Sequence, residues 1–174
     1  MNIDQLINQL PDYAKDIKLN LSNVLTVEGA PDLSQKQIYI IAMASAYATK
    51  NTTLMEAIRE EVGDQLAENE IHAAKGAAVI MAMNNIYYRF IHLVNDPSFT
   101  RMPAKLRMNI IGNPGISKTD FELICLAVSA INGCGMCIES HTHELVKANI
   151  SKLAIQSAVR IAAVLNAVAT GLSA

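Results

Sequence analysis

Apolar residues recur at helical spacing along almost the whole chain, and no run alternates long enough to read as a strand. The periodic segments are rich in Ala, Leu, Ile, Met, Glu, Lys and Gln, residues that favour helix. Turn chemistry cuts them at "EGAPD" (28–32), "NDPS" (95–98) and "GNPG" (112–115). The spacing predicts helices over 3–9, 11–24, 34–50, 52–61, 68–94, 102–110, 117–131, 134–147 and 151–171. Ser34, Ser117 and Ser151 stand where N-caps belong, and Asp120, three residues after Ser117, predicts a capping box. Loops this short should leave neighbouring helices antiparallel. With 174 residues, 51% of them hydrophobic and 17% charged, the chain can bury a proper core. The expectation is a single all-α domain over 1–174.

A fainter pattern suggests two halves. "LSQKQIYIIAMASAYATKN" (33–51) can be laid on "ISKTDFELICLAVSAINGC" (116–134) with a shift of 83 residues. Ser34 then meets Ser117, Ala44 meets Ala127, and the helices near 68–90 and 151–171 match loosely. An internal duplication over about 33–94 and 116–171 is therefore expected. One half would hold cysteines where the other has Asn51 and Leu54.

Several function classes lose support at once. A formal net charge of -2, with no run of Lys and Arg, gives no electrostatic footprint for nucleic acid. Trp is absent, so base stacking and an aromatic membrane belt are also unsupported. The longest nearly apolar stretches, "IYIIAMASAYA" and "IAAVLNAVATGLSA", fall short of the roughly 18 residues of a membrane span. The opening "MNIDQLINQLPDYAKDIK" has early acids and a proline and no basic leader, so no signal peptide and a cytoplasmic protein are expected. Three cysteines are too few for a disulfide framework. In a reducing compartment, closely spaced cysteines bind metal or cycle between thiol and disulfide.

Two of the three lie in "GCGMCIESH" (133–141). A C-x-x-C at a helix start can bring two sulfurs within bonding reach and exposes one to unpaired N–H groups, which favours thiolate. Gly133 and Gly135 permit close approach and unusual backbone angles. On one helix, His141 would lie about 40° from Cys137 and about 20° from Cys134, so all three could share a face. Glu122 edges a segment in which no charged residue occurs from Leu123 to Ile138. A carboxylate there could orient His141 as a base toward a cysteine, a nucleophile, base and orienter set.

Four chemistries compete for the pair. Haem attachment needs the histidine directly after the second cysteine, where Ile138 stands. A structural zinc in a helical interaction module would have to use Cys134, Cys137, His141 and Glu122, since His72, His92 and His143 lack partner cysteines. Two small core residues are the bland reading. Thiol–disulfide chemistry fits the spacing best. Cys125 reads as a buried small hydrophobe, the methionines at 43, 55, 81 and 83 as core filling, Tyr87 and Tyr88 as packing residues, and His143 and Glu144 as solvated.

Glu122, eleven residues, "CGMC", three residues and His141 together resemble the signature of the AhpD-like branch of the carboxymuconolactone decarboxylase-like family. The resemblance extends along essentially all 174 residues. It implies an all-α fold of two weakly similar halves, a homotrimer, and an antioxidant enzyme that reduces organic hydroperoxides. It also implies that the enzyme regenerates the peroxiredoxin AhpC with electrons from dihydrolipoamide, held on a lipoylated 2-oxoacid dehydrogenase component, and that it binds no cofactor tightly and no metal. Carried over by position, Cys137 is the thiolate that becomes a sulfenic acid. Cys134 is the proton donor and resolving thiol, and forms the mixed disulfide with the peroxiredoxin. Glu122 and His141 form the proton relay. One departure stands out: Met136 occupies a position where family members can carry a histidine. Other branches imply peroxidases without a peroxiredoxin partner, or decarboxylase and lactone chemistry without the thiols.

Overall fold

The computed structural model describes residues 1–174. It contains ten α-helices and no strand: α1 (Ile3–Gln9), α2 (Lys15–Val24), α3 (Gln35–Thr49), α4 (Thr52–Val62), α5 (Glu68–Val94), α6 (Pro97–Arg101), α7 (Asn109–Gly112), α8 (Lys118–Asn132), α9 (Gly135–Lys147) and α10 (Lys152–Ser173). Single 3-10 turns at Asp12–Ala14 and Gly63–Gln65 fill two of the joints.

α3 and α8 form the centre, packed on each other and each against α5 and α10. The sequence makes them central. Ile38–Ala46 of α3 and Phe121–Ser129 of α8 are buried without interruption, which leaves neither helix a wet face in its middle. Small residues such as Ala42, Ala44, Ala127 and Ser129 let the backbones approach, and Ile38, Ile41, Phe121 and Leu126 fill the space around them.

The two central helices match feature by feature at an offset of 83. Ser34 and Ser117 cap them through their side chains. Both span 15 residues and end on a left-handed residue, Lys50 (φ 60) and Gly133 (φ 67). The next residues, Asn51 and Cys134, cap α4 and α9 by accepting from the N–H groups of Leu54 and Cys137. Across the centre, Gln37 Nε2 donates to Asp120 Oδ1 (2.8 Å), a pair 83 residues apart. The capping box expected at Ser117 forms differently. Ser117 Oγ accepts from the Asp120 N–H, but Asp120 binds the Ser117 hydroxyl and Gln37 rather than reaching back to the Ser117 N–H. The full box forms at Ser34 with Gln37.

The helix expected over 102–110 is absent. Asp96 accepts from the Ser98 N–H and Pro97 opens α6, so that helix starts earlier and ends at Arg101. Pro103 then holds Met102 extended (ψ 137), and regular structure resumes only at α7. α10 corrects the hydropathy reading. It is long and apolar enough to cross a membrane by length and composition. In the fold its apolar face is buried against α2, α3 and α8.

One apolar stripe is not covered. Val79, Ile86, Phe90 and Leu93 follow one side of α5 and remain 73%, 65%, 46% and 73% exposed.

Candidate active site

α9 begins at the redox motif because Gly133 can take the left-handed turn that ends α8. Cys134 follows in extended conformation (φ -94, ψ 95) as the N-cap of α9. Its Sγ accepts from the Cys137 N–H at 3.3 Å and is bonded to Cys137 Sγ, with the Cα atoms 5.3 Å apart. This corrects the helical-wheel expectation for Cys134, which lies outside the helix. It also corrects the role given to Gly135, which sits in the first turn of α9 without unusual angles.

The two sulfurs have different surroundings. Cys134 is fully buried, whereas Cys137 lines a cavity of about 300 Å³ together with His141 and Glu122. A mixed disulfide on Cys134 therefore requires the turn before α9 to open, while Cys137 already faces the cavity. The end of α8 that leads into this turn is held by a polar chain. Arg89 Nη1 donates to the Asn132 carbonyl (2.7 Å), Asn132 Nδ2 to Asn85 Oδ1 (2.9 Å), and Asn85 Nδ2 to Ser129 Oγ (2.9 Å).

Glu122 lies in the buried run of α8 and His141 two turns into α9, and the fold brings them together. His141 Nδ1 and Glu122 Oε2 are 2.7 Å apart, and both residues are largely buried. A buried carboxylate needs such a partner, because desolvation without one is costly. The bond fixes the ring's orientation and leaves Nε2 as the nitrogen free to exchange a proton. Cys125, one turn further along α8, is buried, and that burial, followed by the nearby Glu122 charge, pushes its thiol well above its ordinary range. It is a small core residue, as the sequence suggested.

The cavity also recruits residues that spacing did not flag. Asn84 and Tyr88 of α5, Met108, Ile111, Ser140 and Glu144 stand in its walls. Met81 is core filling and cavity wall at once, and Glu144, expected to be solvated, is half-buried and pairs with Lys118 (3.6 Å). Met136, the point of departure from the family pattern, lines the same cavity. No group of three or more His, Cys, Asp or Glu side chains is placed to hold a metal ion.

The model of the carboxymuconolactone decarboxylase family matches residues 97–174, which contain the whole constellation. Alkyl hydroperoxide reductase AhpD of Coxiella burnetii (strain RSA 493 / Nine Mile phase I) is 59% identical over 162 residues, covering 93% of this chain and 92% of that one. The AhpD of Rhodospirillum centenum is 51% identical and that of Rhodopseudomonas palustris (strain BisA53) 49% identical, both along 100% of this chain, covering 92% and 94% of theirs.

Proposed function

The chain belongs to the alkyl hydroperoxide reductase AhpD family, and from that premise and the site's geometry we propose an antioxidant thiol–disulfide enzyme that reduces organic hydroperoxides. The observation that carries the reading is the shared cavity wall: Cys137 with His141 and Glu122 in front, and Cys134 bonded behind.

In the reduced enzyme, His141 Nε2 takes the proton of the Cys137 thiol while Glu122 steadies the ring. The thiolate attacks the terminal peroxide oxygen, the O–O bond breaks, and the leaving alkoxide takes the proton from His141 and departs as the alcohol. Cys137 is left as a sulfenic acid. Cys134 then attacks that sulfur and gives its proton to the departing hydroxide. Water leaves and the Cys134–Cys137 bond closes. A dithiol reopens it in two exchanges and is itself oxidised to a disulfide. External attack on the cavity-facing Cys137 makes Cys134 the leaving thiolate, and the N–H of Cys137 stands ready to stabilise it.

The finer reading names the partners. The reductant is dihydrolipoamide carried by a lipoylated dehydrogenase component, and the reduced pair also regenerates a disulfide of the peroxiredoxin AhpC. The names of the relatives support the hydroperoxide-reducing activity. The assembly is the homotrimer that the family resemblance implies, and the exposed stripe on α5 supports self-association, with Val79, Ile86 and Leu93 covered by neighbouring copies.

The test is turnover of cumene hydroperoxide, and reduction of AhpC, with dihydrolipoamide as electron source. Wild type should be active in both, and Cys137→Ser and His141→Phe should lose most of either activity. Unchanged rates in both variants would sink the mechanism. Decarboxylation is the second reading, suggested by the name of the matched family, and decarboxylase activity that survives loss of both thiols would favour it.

A further inference from the structure

Two adjacent amides on α5 are used very differently. Asn85 is spent on structure, donating to Ser129 and accepting from Asn132. Asn84 is 4% exposed and lines the cavity in front of Cys137, yet its Oδ1 is sealed from solvent with no hydrogen-bond partner. A buried carbonyl oxygen without a partner opposes folding, because it has given up water and gained nothing in return. Its last torsion is broad and roughly two-fold, so the amide can turn either its acceptor or its donor end to a guest.

The cavity's other groups limit what that guest can be. It is lined by the carboxylates Glu122 and Glu144 and by no Lys or Arg, which disfavours an anion. Met81, Met108, Ile111 and Met136 supply an apolar wall, and at about 300 Å³ the space is at the small end for a ligand site. A neutral hydroperoxide matches this set. Its oxygens can accept from Asn84 Nδ2 or, with the amide turned over, its O–H can donate to Oδ1, and its organic body can lie on the apolar wall.

We propose that Asn84 is a substrate-contacting residue, whose carboxamide hydrogen-bonds the hydroperoxyl group and holds it before Cys137. This rests on the peroxide-reducing reading above. The substrate would give the cavity-facing end of the amide the partner that the protein does not supply.

The test separates the two half-reactions in wild type, Asn84→Leu and Asn84→Ala. Oxidation of the reduced enzyme is followed against cumene hydroperoxide concentration, reduction of the disulfide is followed with dithiothreitol, and Tm is measured for each protein. The expected result is a fall of about tenfold in kcat/KM for the hydroperoxide, carried by KM, as for one lost hydrogen bond. Reduction by dithiothreitol should stay within about twofold, and the Tm of Asn84→Leu should equal or exceed that of wild type, since an apolar side chain replaces an unpaired polar one. An unchanged hydroperoxide dependence in both variants overturns the proposal. So does an equal slowing of both half-reactions with a lower Tm, which would mark a structural residue. A wild-type enzyme that exchanges with dithiothreitol but ignores hydroperoxide overturns the peroxide reading itself, and this inference with it.

Discussion

Glu122 Oε2 lies 2.7 Å from His141 Nδ1, although the two residues belong to different helices and stand 19 positions apart. The contact follows from the sharp reversal at Gly133, which folds α9 back along α8. It turns two polar side chains, each hard to bury alone, into one satisfied pair beside a reactive sulfur.

The pair predicts a ranking among variants. His141→Phe removes the base and is expected to lower kcat/KM for hydroperoxide by about 100-fold, the lower end for general acid–base catalysis. Glu122→Ala should cost less, because the imidazole remains but turns freely. Glu122→Gln should cost least, since its carbonyl oxygen can still accept from Nδ1–H. Steady-state kinetics on the three proteins checks the order, and a Glu122→Ala enzyme as fast as wild type removes Glu122 from the relay.

Cys125 should behave as an inert thiol. Burial raises its pKa, so at neutral pH the reactive thiolate is scarce as well as shielded. Iodoacetamide applied to the folded, reduced protein should label Cys137 and spare Cys125. After unfolding in reductant all three cysteines should label, and peptide mass spectrometry reads both states.

Asn51 stands in the first half where Cys134 stands in the second, and caps α4 in the same way. Its Nδ2 also donates to the Ala169 carbonyl and Ser173 Oγ, tying α4 to the end of α10. Asn51→Ala is therefore expected to lose about 1 to 2 kcal/mol of stability while peroxide turnover per folded molecule stays unchanged. Denaturant melts and kinetics on the same preparation check both parts.

In one half α3 repeats the capping serine, the length and the buried run that α8 shows in the other. Tyr39, Asn51, Leu54 and Ile58 occupy the positions that hold Glu122, Cys134, Cys137 and His141 in the other. What the sequence made legible is what periodicity and motif spacing can carry: the central helices, the four-residue constellation and the caps at Ser34, Ser117 and Ser151. The helix expected over 102–110 failed because a single proline outweighed the apolar spacing around it. Asn84 and Glu144 were missed because a cavity wall is assembled from several helices, and no interval in the chain encodes that meeting. The division between Cys134 and Cys137 also needed three dimensions, since a cap residue leaves the helical wheel.

The stripe on α5 predicts self-association. Ile86→Asp would place a charge in the middle of the face formed by Val79, Ile86 and Leu93. Sedimentation equilibrium should find the wild-type protein trimeric and the variant shifted toward monomer, with helical content retained. A wild type that is monomeric at all accessible concentrations would refute the assembly.

In the proposed mechanism Cys137 is the sulfur that meets the peroxide. The most direct measurement uses Cys134→Ser, which cannot close the disulfide, treated with one equivalent of cumene hydroperoxide in the presence of dimedone. Peptide mass spectrometry should find the sulfenic adduct on Cys137. A Cys137 peptide that stays unmodified, while the Cys137→Ser protein forms the adduct on Cys134, would contradict it.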